Sequence, residues 1–238
     1  MTTDPQVVAL PMGDLTFPAD GAIFPGQTVV VVAYAVRHAG GVFLFDTGFR
    51  EAAPGDDPEL REYFQKYALR TRSLPDVLAA AGVDLGEITA VANCHLHFDH
   101  SGQNALFPGV PIYVQPAELA AVREPDYTLP EVYDFEGARF EQVAGDHEVA
   151  PGIRIFATPG HSPGHQSLVV ETPDGPVLLA GQAVYTRGEW AGIPGALVGS
   201  SDTRPGADQA GYARSVARLK ALNPRRVLFG HDRQGWPD

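Results

Sequence analysis

Apolar residues recur along this chain in two rhythms, and the breaks between them mark the elements. Val29 to Val36 is a sustained apolar run that reads as a buried strand, and Val42 to Phe45 reads as its hairpin partner across a Gly40-Gly41 turn. Asp46-Thr47-Gly48 ends that strand. Beyond a breaker-rich loop over 52–58, Leu60, Tyr63, Phe64 and Tyr67 fall at helical spacing and predict a helix over 59–70. Ser73 is placed to cap a second helix, with Pro75 in its first turn and Gly82 near its end. Short apolar runs predict strands over 90–93, 112–115, 153–158, 167–171, 177–180 and 226–229. Helices are predicted over 117–122 and 208–222, the latter amphipathic with Tyr212, Val216 and Leu219 on one face, while 124–137 reads as loop. Strands interleaved with helices point to a layered α/β or α+β fold.

Composition narrows this picture. A chain of 238 residues without a biased linker or a repeat suits one domain over 1–238. With 44% hydrophobic and 19% charged residues it has enough apolar surface for a substantial core, and 26 Gly with 21 Pro imply many turns. The formal net charge of −12 repels phosphate backbones, which argues against a nucleic-acid partner. A locally positive pocket for a small anion is still compatible with it. The single cysteine, Cys94, excludes an intrachain disulfide. The first residues lack a basic region followed by an apolar run, and Val29 to Val36 is too short to cross a membrane. The expectation is a cytoplasmic protein with no membrane partner.

The placement of the eight histidines carries the chemistry. Three lie in His95-Leu96-His97-Phe98-Asp99-His100, His161 follows Thr158-Pro159-Gly160, and His231 follows Leu228-Phe229-Gly230. Each group comes directly after an apolar strand, and carboxyl ends of strands are where open α/β sheets gather their ligands. Residues two apart in an extended segment share a face, so His95, His97 and Asp99 are expected on one side and His100 on another. One metal would take His95, His97 and His161; a second would take Asp99, His100 and His231. Imidazole and carboxylate suit Zn²⁺, and also Fe or Mn. A lone strand-end histidine reads equally well as an ordinary hydrogen-bonding residue, but four His and Asp groups within six residues do not. His38 reads as a turn residue, His147 as part of a polar loop and His165 as a supporting or structural residue, so none of the three joins the metal set. Cys94 is expected to point away from the ligands, with no catalytic role.

The string His95 to His100 is the HxHxDH signature of the metallo-β-lactamase superfamily, and within it the chain resembles the N-acyl-homoserine lactonases that degrade quorum-sensing signals. The resemblance runs over nearly the whole chain. It is carried by residues 95–102, by Thr158-Pro159-Gly160-His161-Ser162-Pro163-Gly164-His165-Gln166-Ser167, by Phe229-Gly230-His231-Asp232, and by Asp46-Thr47-Gly48, which matches the early Asp-Thr-Gly that supports the site. It implies a four-layer αββα sandwich, two metals at one edge of the sheets with a bridging hydroxide, and a monomer or homodimer. It also implies that Tyr185 is the family's tyrosine that hydrogen-bonds the lactone; an ordinary half-buried tyrosine is the alternative. One position departs from the family: Gln182 stands where the family has its bridging aspartate. A neutral amide brings no charge between two dications, which leaves Asp99 as the only carboxylate among the expected ligands. Gln182 is therefore a doubtful ligand, and three outcomes stay open: a two-metal site held without the carboxylate, a one-metal site, or an impaired site.

The function implied is hydrolysis of a lactone ester bond. A metal lowers the pKa of bound water to about 7, Tyr185 and metal stabilise the oxyanion, and Asp99 holds metal, orients the water and can pass a proton to the leaving alkoxide. Hydrolysis of another ester or a thioester is one alternative, although no cationic patch for glutathione is evident. Binding of a lactone without turnover, as a consequence of Gln182, is an alternative of a different class. Tyr63, Phe64 and Tyr67 either cover an acyl chain or pack their helix down, and the 187–201 loop with Trp190 is a candidate border of the pocket.

Overall fold

The computed structural model describes residues 4–20, 24–67, 70–197 and 208–237. Thirteen strands are seen among them: β1 (Gln6–Thr16), β2 (Thr28–His38), β3 (Gly41–Phe45), β4 (Arg70–Thr71), β5 (Ile88–Ala92), β6 (Ile112–Val114), β7 (Phe140–Gln142), β8 (His147–Ala150), β9 (Ile153–Ala157), β10 (Gln166–Thr172), β11 (Gly175–Leu179), β12 (Arg226–Phe229) and β13 (Asp232–Trp236). They form a seven-stranded sheet in the order β4-β1-β2-β3-β5-β6-β7 and a six-stranded sheet in the order β13-β12-β11-β10-β9-β8. The helices are α1 (Pro58–Lys66), α2 (Leu74–Ala80), α3 (Phe98–Ser101), α4 (Pro116–Ala121), α5 (Arg187–Trp190) and α6 (Gln209–Ala221).

The apolar run of β2 has no polar face because both of its faces are covered. Val31, Ala33 and Ala35 pack with Phe64, Leu74, Val77 and Leu78 of α1 and α2 on the outer side of the first sheet. Val32, Tyr34 and Val36 point the other way and meet Ile153, Ile155, Leu168, Val170 and Leu179 of the second sheet. On the far side of that second sheet, Val169, Leu178, Val227 and Phe229 pack against Trp190 of α5 and Leu219 of α6. Helices, sheet, sheet, helices is the expected four-layer αββα sandwich.

Several elements depart from the sequence reading. Strand β1 is unmarked by the apolar pattern because a register shift between Pro11 and Gly13 breaks its alternation. Helix α1 stops at Lys66, with Asp57 accepting from the Leu60 amide at its start. Residues 68 and 69 of the predicted helix lie outside the described residues, and Arg70–Thr71 pairs with β1 instead. Ser73 occupies the N-cap of α2 but makes no side-chain cap bond. His147 lies in a strand, β8, rather than a loop. No helix among the described residues is long and apolar enough to cross a membrane.

Candidate metal centre

The site lies where strand ends from both sheets meet. Strand β5 ends at Ala92 just before His95, β9 at Ala157 before His161, β11 at Leu179 before Gln182, and β12 at Phe229 before His231. The two sheets are stitched together here: Val32 N–H donates to the Gly230 carbonyl at 2.9 Å and Gln166 N–H to the Cys94 carbonyl at 2.8 Å. The expectation that Asp99 alternates with His95 and His97 along an extended segment is overturned. The chain turns at His97 into α3, so Asp99 and His100 are successive positions of a helical turn. The pair still reaches the site because α3 folds back beside the segment that follows β3, with Thr47 N–H donating to the His100 carbonyl at 2.8 Å.

Three imidazoles converge in the first cluster. His95 Nε2 lies 2.7 Å from His97 Nδ1, and His161 Nε2 lies 3.2 Å from His95 Nε2 and 3.3 Å from His97 Nδ1. Nitrogen atoms bound at about 2.0–2.1 Å around a tetrahedral ion stand roughly 3.3 Å apart. Two of the three separations match that edge. All three side chains are buried. Burial first, and then the neighbouring imidazoles of His97 and His161, hold His95 well below the ordinary histidine pKa. Neutral nitrogens at this spacing repel unless a cation or proton lies among them, so the donor set fits a metal ion.

A second group adjoins the first. His100 Nε2 lies 3.4 Å from Asp99 Oδ2, and His231 Nε2 lies 3.8 Å from the same oxygen. His231 Nδ1 donates to the Val30 carbonyl at 2.8 Å, which leaves the lone pair on Nε2. Burial, followed by the charge of His100, lowers the His231 pKa to about 4. Burial works against charge on His100, but Cys94, Asp99 and Asp46 together outweigh it and raise that pKa well above the usual value. Burial alone would raise Asp99; the charge of His100, 3.4 Å away, with that of His231, holds it well below the carboxylate range. Asp46 backs the group from behind. Its Oδ2 is 2.9 Å from His100 Nδ1, and its Oδ1 accepts from the Cys94 amide at 2.7 Å.

Gln182 faces this second group. Its Nε2 sits 2.5 Å from His231 Nε2 and donates into that lone pair. Its Oε1 and His100 Nε2 are buried without a hydrogen-bond partner among the described residues. Two orphaned polar atoms beside a carboxylate are what a cation would satisfy. The same amide occupies the His231 nitrogen that such a cation would use, so the second group fits a metal less well than the first.

The fold agrees with comparisons to known proteins. The metallo-beta-lactamase superfamily matches residues 26–231. The chain belongs to the metallo-beta-lactamase superfamily. Among its relatives, the N-acyl homoserine lactonase of a Bacillus species is 32% identical over 90% of this chain and 86% of its own. The N-acyl homoserine lactonase AiiA of Bacillus thuringiensis subsp. kurstaki is 31% identical over the same shares. A solved N-acyl homoserine lactone hydrolase, with N-hexanoyl-L-homoserine at its catalytic metal center, superposes with a TM-score of 0.76 at 29% identity, over 98% of this chain and 95% of that one. Membership and these relatives together make the chain a lactonase-like, metal-dependent hydrolase.

A cavity of about 530 Å³ opens over the site. His97, Asp99, Gln182 and Tyr185 form part of its lining, and Tyr63 and Tyr67 part of its wall. The Tyr185 hydroxyl is 3.3 Å from His161 Nδ1. With the His161 Nε2 lone pair turned to the cluster, Nδ1 carries the proton and donates to the Tyr185 hydroxyl. The aromatic trio of α1 divides its work: Phe64 is buried in the core, while Tyr63 and Tyr67 face the cavity and pack on Phe98 at ring distances of 5.0 and 5.6 Å. Trp190, expected at the pocket border, is instead buried between α6 and β12 and does not line the cavity; residues 198–201 of that loop lie outside the described residues.

His165 is placed beside the cluster but is engaged elsewhere: its Nε2 accepts from the Gln182 amide at 2.9 Å and its Nδ1 donates to Thr158 Oγ1 at 2.8 Å. Cys94 is buried with its sulfur 3.1 Å from His95 Nδ1, closer than an alternating strand would put it, and burial raises its pKa. Three polar residues unmarked in the sequence reading also serve the site. Asn93 and Asn104 bond each other at 2.9 Å, and Asn93 Nδ2 donates to the His100 carbonyl at 3.1 Å. Glu118 is the third.

Proposed function

We propose that this chain opens the ester ring of a lactone, with N-acyl-homoserine lactones as the substrate class, in the cavity above the His95, His97 and His161 cluster. The observation that carries the reading is the convergence of three buried imidazole nitrogens under a cavity with aromatic walls and a tyrosine hydroxyl at its base. Likeness to proteins named as N-acyl homoserine lactonases over nine-tenths of the chain supports the substrate class. His95, His97 and His161 would hold one divalent ion, and Asp99, His100 and His231 a second. Five imidazoles with one carboxylate suit Zn²⁺, with Fe or Mn as the other candidates. A divalent ion so held supplies Lewis acidity and makes water nucleophilic at neutral pH.

The chain's own residues do the rest. Asp99, ionised and lining the cavity, accepts a hydrogen bond from the attacking water and orients it. Tyr185 donates its hydroxyl proton in a hydrogen bond to the oxygen that gains charge as the carbonyl is attacked. Asp99 then relays a proton to the ring oxygen as it leaves as an alcohol, and the other product is a carboxylate. The Tyr63, Tyr67 and Phe98 wall excludes water from the acyl side.

The Gln182 amide against His231 favours a second reading, a one-metal protein that binds lactone with little or no turnover. One experiment separates the two. Elemental analysis of protein purified without chelator, paired with a ring-opening assay on the same sample, should give about two metals and turnover. One metal or none, with no turnover after reloading, would refute hydrolysis and leave the binding reading.

A further inference from the structure

Glu118 lies in the first turn of α4 and is 1% exposed. Four donors converge on it. Its Oε1 accepts from the Leu96 amide at 2.8 Å and from the Tyr127 hydroxyl at 2.5 Å. Its Oε2 accepts from the Ser162 hydroxyl at 2.8 Å and from the Gly164 amide at 3.1 Å. Leu96 stands between His95 and His97, and Ser162 follows His161 directly. A single carboxylate thus ties together the two loops that carry all three imidazoles of the first cluster.

Independent packing confirms the closeness of this bracket. A β-carbon on Gly164 would collide with the backbone of Glu118, so the His161 loop rests directly on α4. Gln115, just before α4, donates from Nε2 to Gln166 Oε1 at 3.0 Å, and Gln166 Nε2 donates in turn to the Asn93 carbonyl at 2.8 Å. Tyr127 reaches the other way. Its ring is 4.9 Å from that of His97, and it lines the substrate cavity. A buried carboxylate is costly unless its oxygens are fully satisfied, as four donors satisfy them here, and an apolar side chain in its place would strand the Leu96 and Gly164 amides. What a carboxylate adds here is directional hold on two loops at once and negative charge behind an otherwise neutral ligand set.

We propose that Glu118 is a positioning residue for the three-histidine site: it sets the spacing of the His95–His97 and His161 loops, and Tyr127 connects that brace to the wall of the substrate cavity. The proposal rests on the reading of those histidines as metal ligands and does not depend on the identity of the substrate. The test uses cobalt(II) alone as probe, with affinity read by chelator competition and coordination read from visible absorption. Glu118→Gln keeps the shape but replaces two acceptor positions with a donor, and it should weaken cobalt binding about 10- to 100-fold with shifted absorption bands. Tyr127→Phe and Ser162→Ala each remove one donor; both should shift the same bands, by less, and they carry the test should Glu118→Gln fail to fold. Folded variants that bind cobalt with wild-type affinity and spectrum would overturn the proposal. A wild-type protein that binds no cobalt would overturn the ligand reading beneath it, an outcome read before any variant is made.

Discussion

Gln182→Asp tests the charge balance of the second group. The substitution puts a carboxylate where a neutral amide now lies 2.5 Å from His231 Nε2, beside the orphaned nitrogen of His100. It also removes the donor that occupies the His231 lone pair. At an effective dielectric of 20, a unit charge about 4 Å from a dication gains roughly 8 kcal/mol. Desolvation of a newly buried carboxylate returns several kcal/mol of that. A net gain on the order of 2 kcal/mol remains, equivalent to about 30-fold in affinity. The assay is a two-step titration of metal-free protein with zinc against a chromophoric chelator. The second dissociation constant should fall by roughly 10- to 100-fold. The first should stay within a few-fold, because the Gln182 side-chain nitrogen lies against His231, in the second group. An unchanged second constant would refute the account of Gln182 as the weak point. Equal tightening of both would refute the separation into two groups.

Further outcomes follow from the same geometry. His97→Ala removes one of three converging nitrogens and should abolish lactone turnover, with loss of the first metal on dialysis; full activity would end the metal mechanism. Tyr185→Phe should lower kcat on the order of 10²-fold with little change in KM, since its hydroxyl acts on charge that appears only after attack; a change confined to KM would make Tyr185 a binding residue. In metal-free protein His100 holds its proton above the usual histidine range, so a metal at its Nε2 must displace that proton. The second-site affinity should therefore strengthen as pH rises through neutrality and weaken as pH falls, and a pH-independent constant in the same titration would refute this. Metal removal leaves three imidazoles crowded against one another and His100 Nε2 without a hydrogen-bond partner among the described residues, so chelation should lower Tm, with full recovery on adding Zn²⁺; an unchanged Tm would show that metal does not bind the native state.

The strands and ligand segments were legible in sequence where a single physical demand dominates. Val29 to Val36 reads as strand because both faces are buried, and His95, His161 and His231 stand out because each follows an apolar run at its carboxyl end. Strand β1 was hidden by its own bulge at Pro11 and Gly13. The helical turn at Phe98–Ser101 was hidden because a single turn contains no period. Spacing therefore put Asp99 on one face with His95 and His97 and His100 on another, the wrong local geometry for a helical turn.

The brace around the site was illegible for a different reason. Asp46 and His100 are paired across 54 positions, Leu96 and Glu118 across 22, and Ser162 and Glu118 across 44. A carboxylate in Pro-Ala-Glu-Leu-Ala-Ala looks like an ordinary first-turn helix charge. Only its burial, with donors from two distant loops and from a cavity tyrosine, separates it from that reading. Ligating residues declare themselves by type because few side chains bind metal; the residues that hold them declare themselves only by location. Gln182 is legible at one level and illegible at the other. Its residue type signals a missing charge, while the hydrogen bond by which it competes for His231 requires both strand ends, at β11 and β12, to be seen side by side. The weak point of this centre is thus a contest between amide and cation for one nitrogen, and the titration of Gln182→Asp measures its strength.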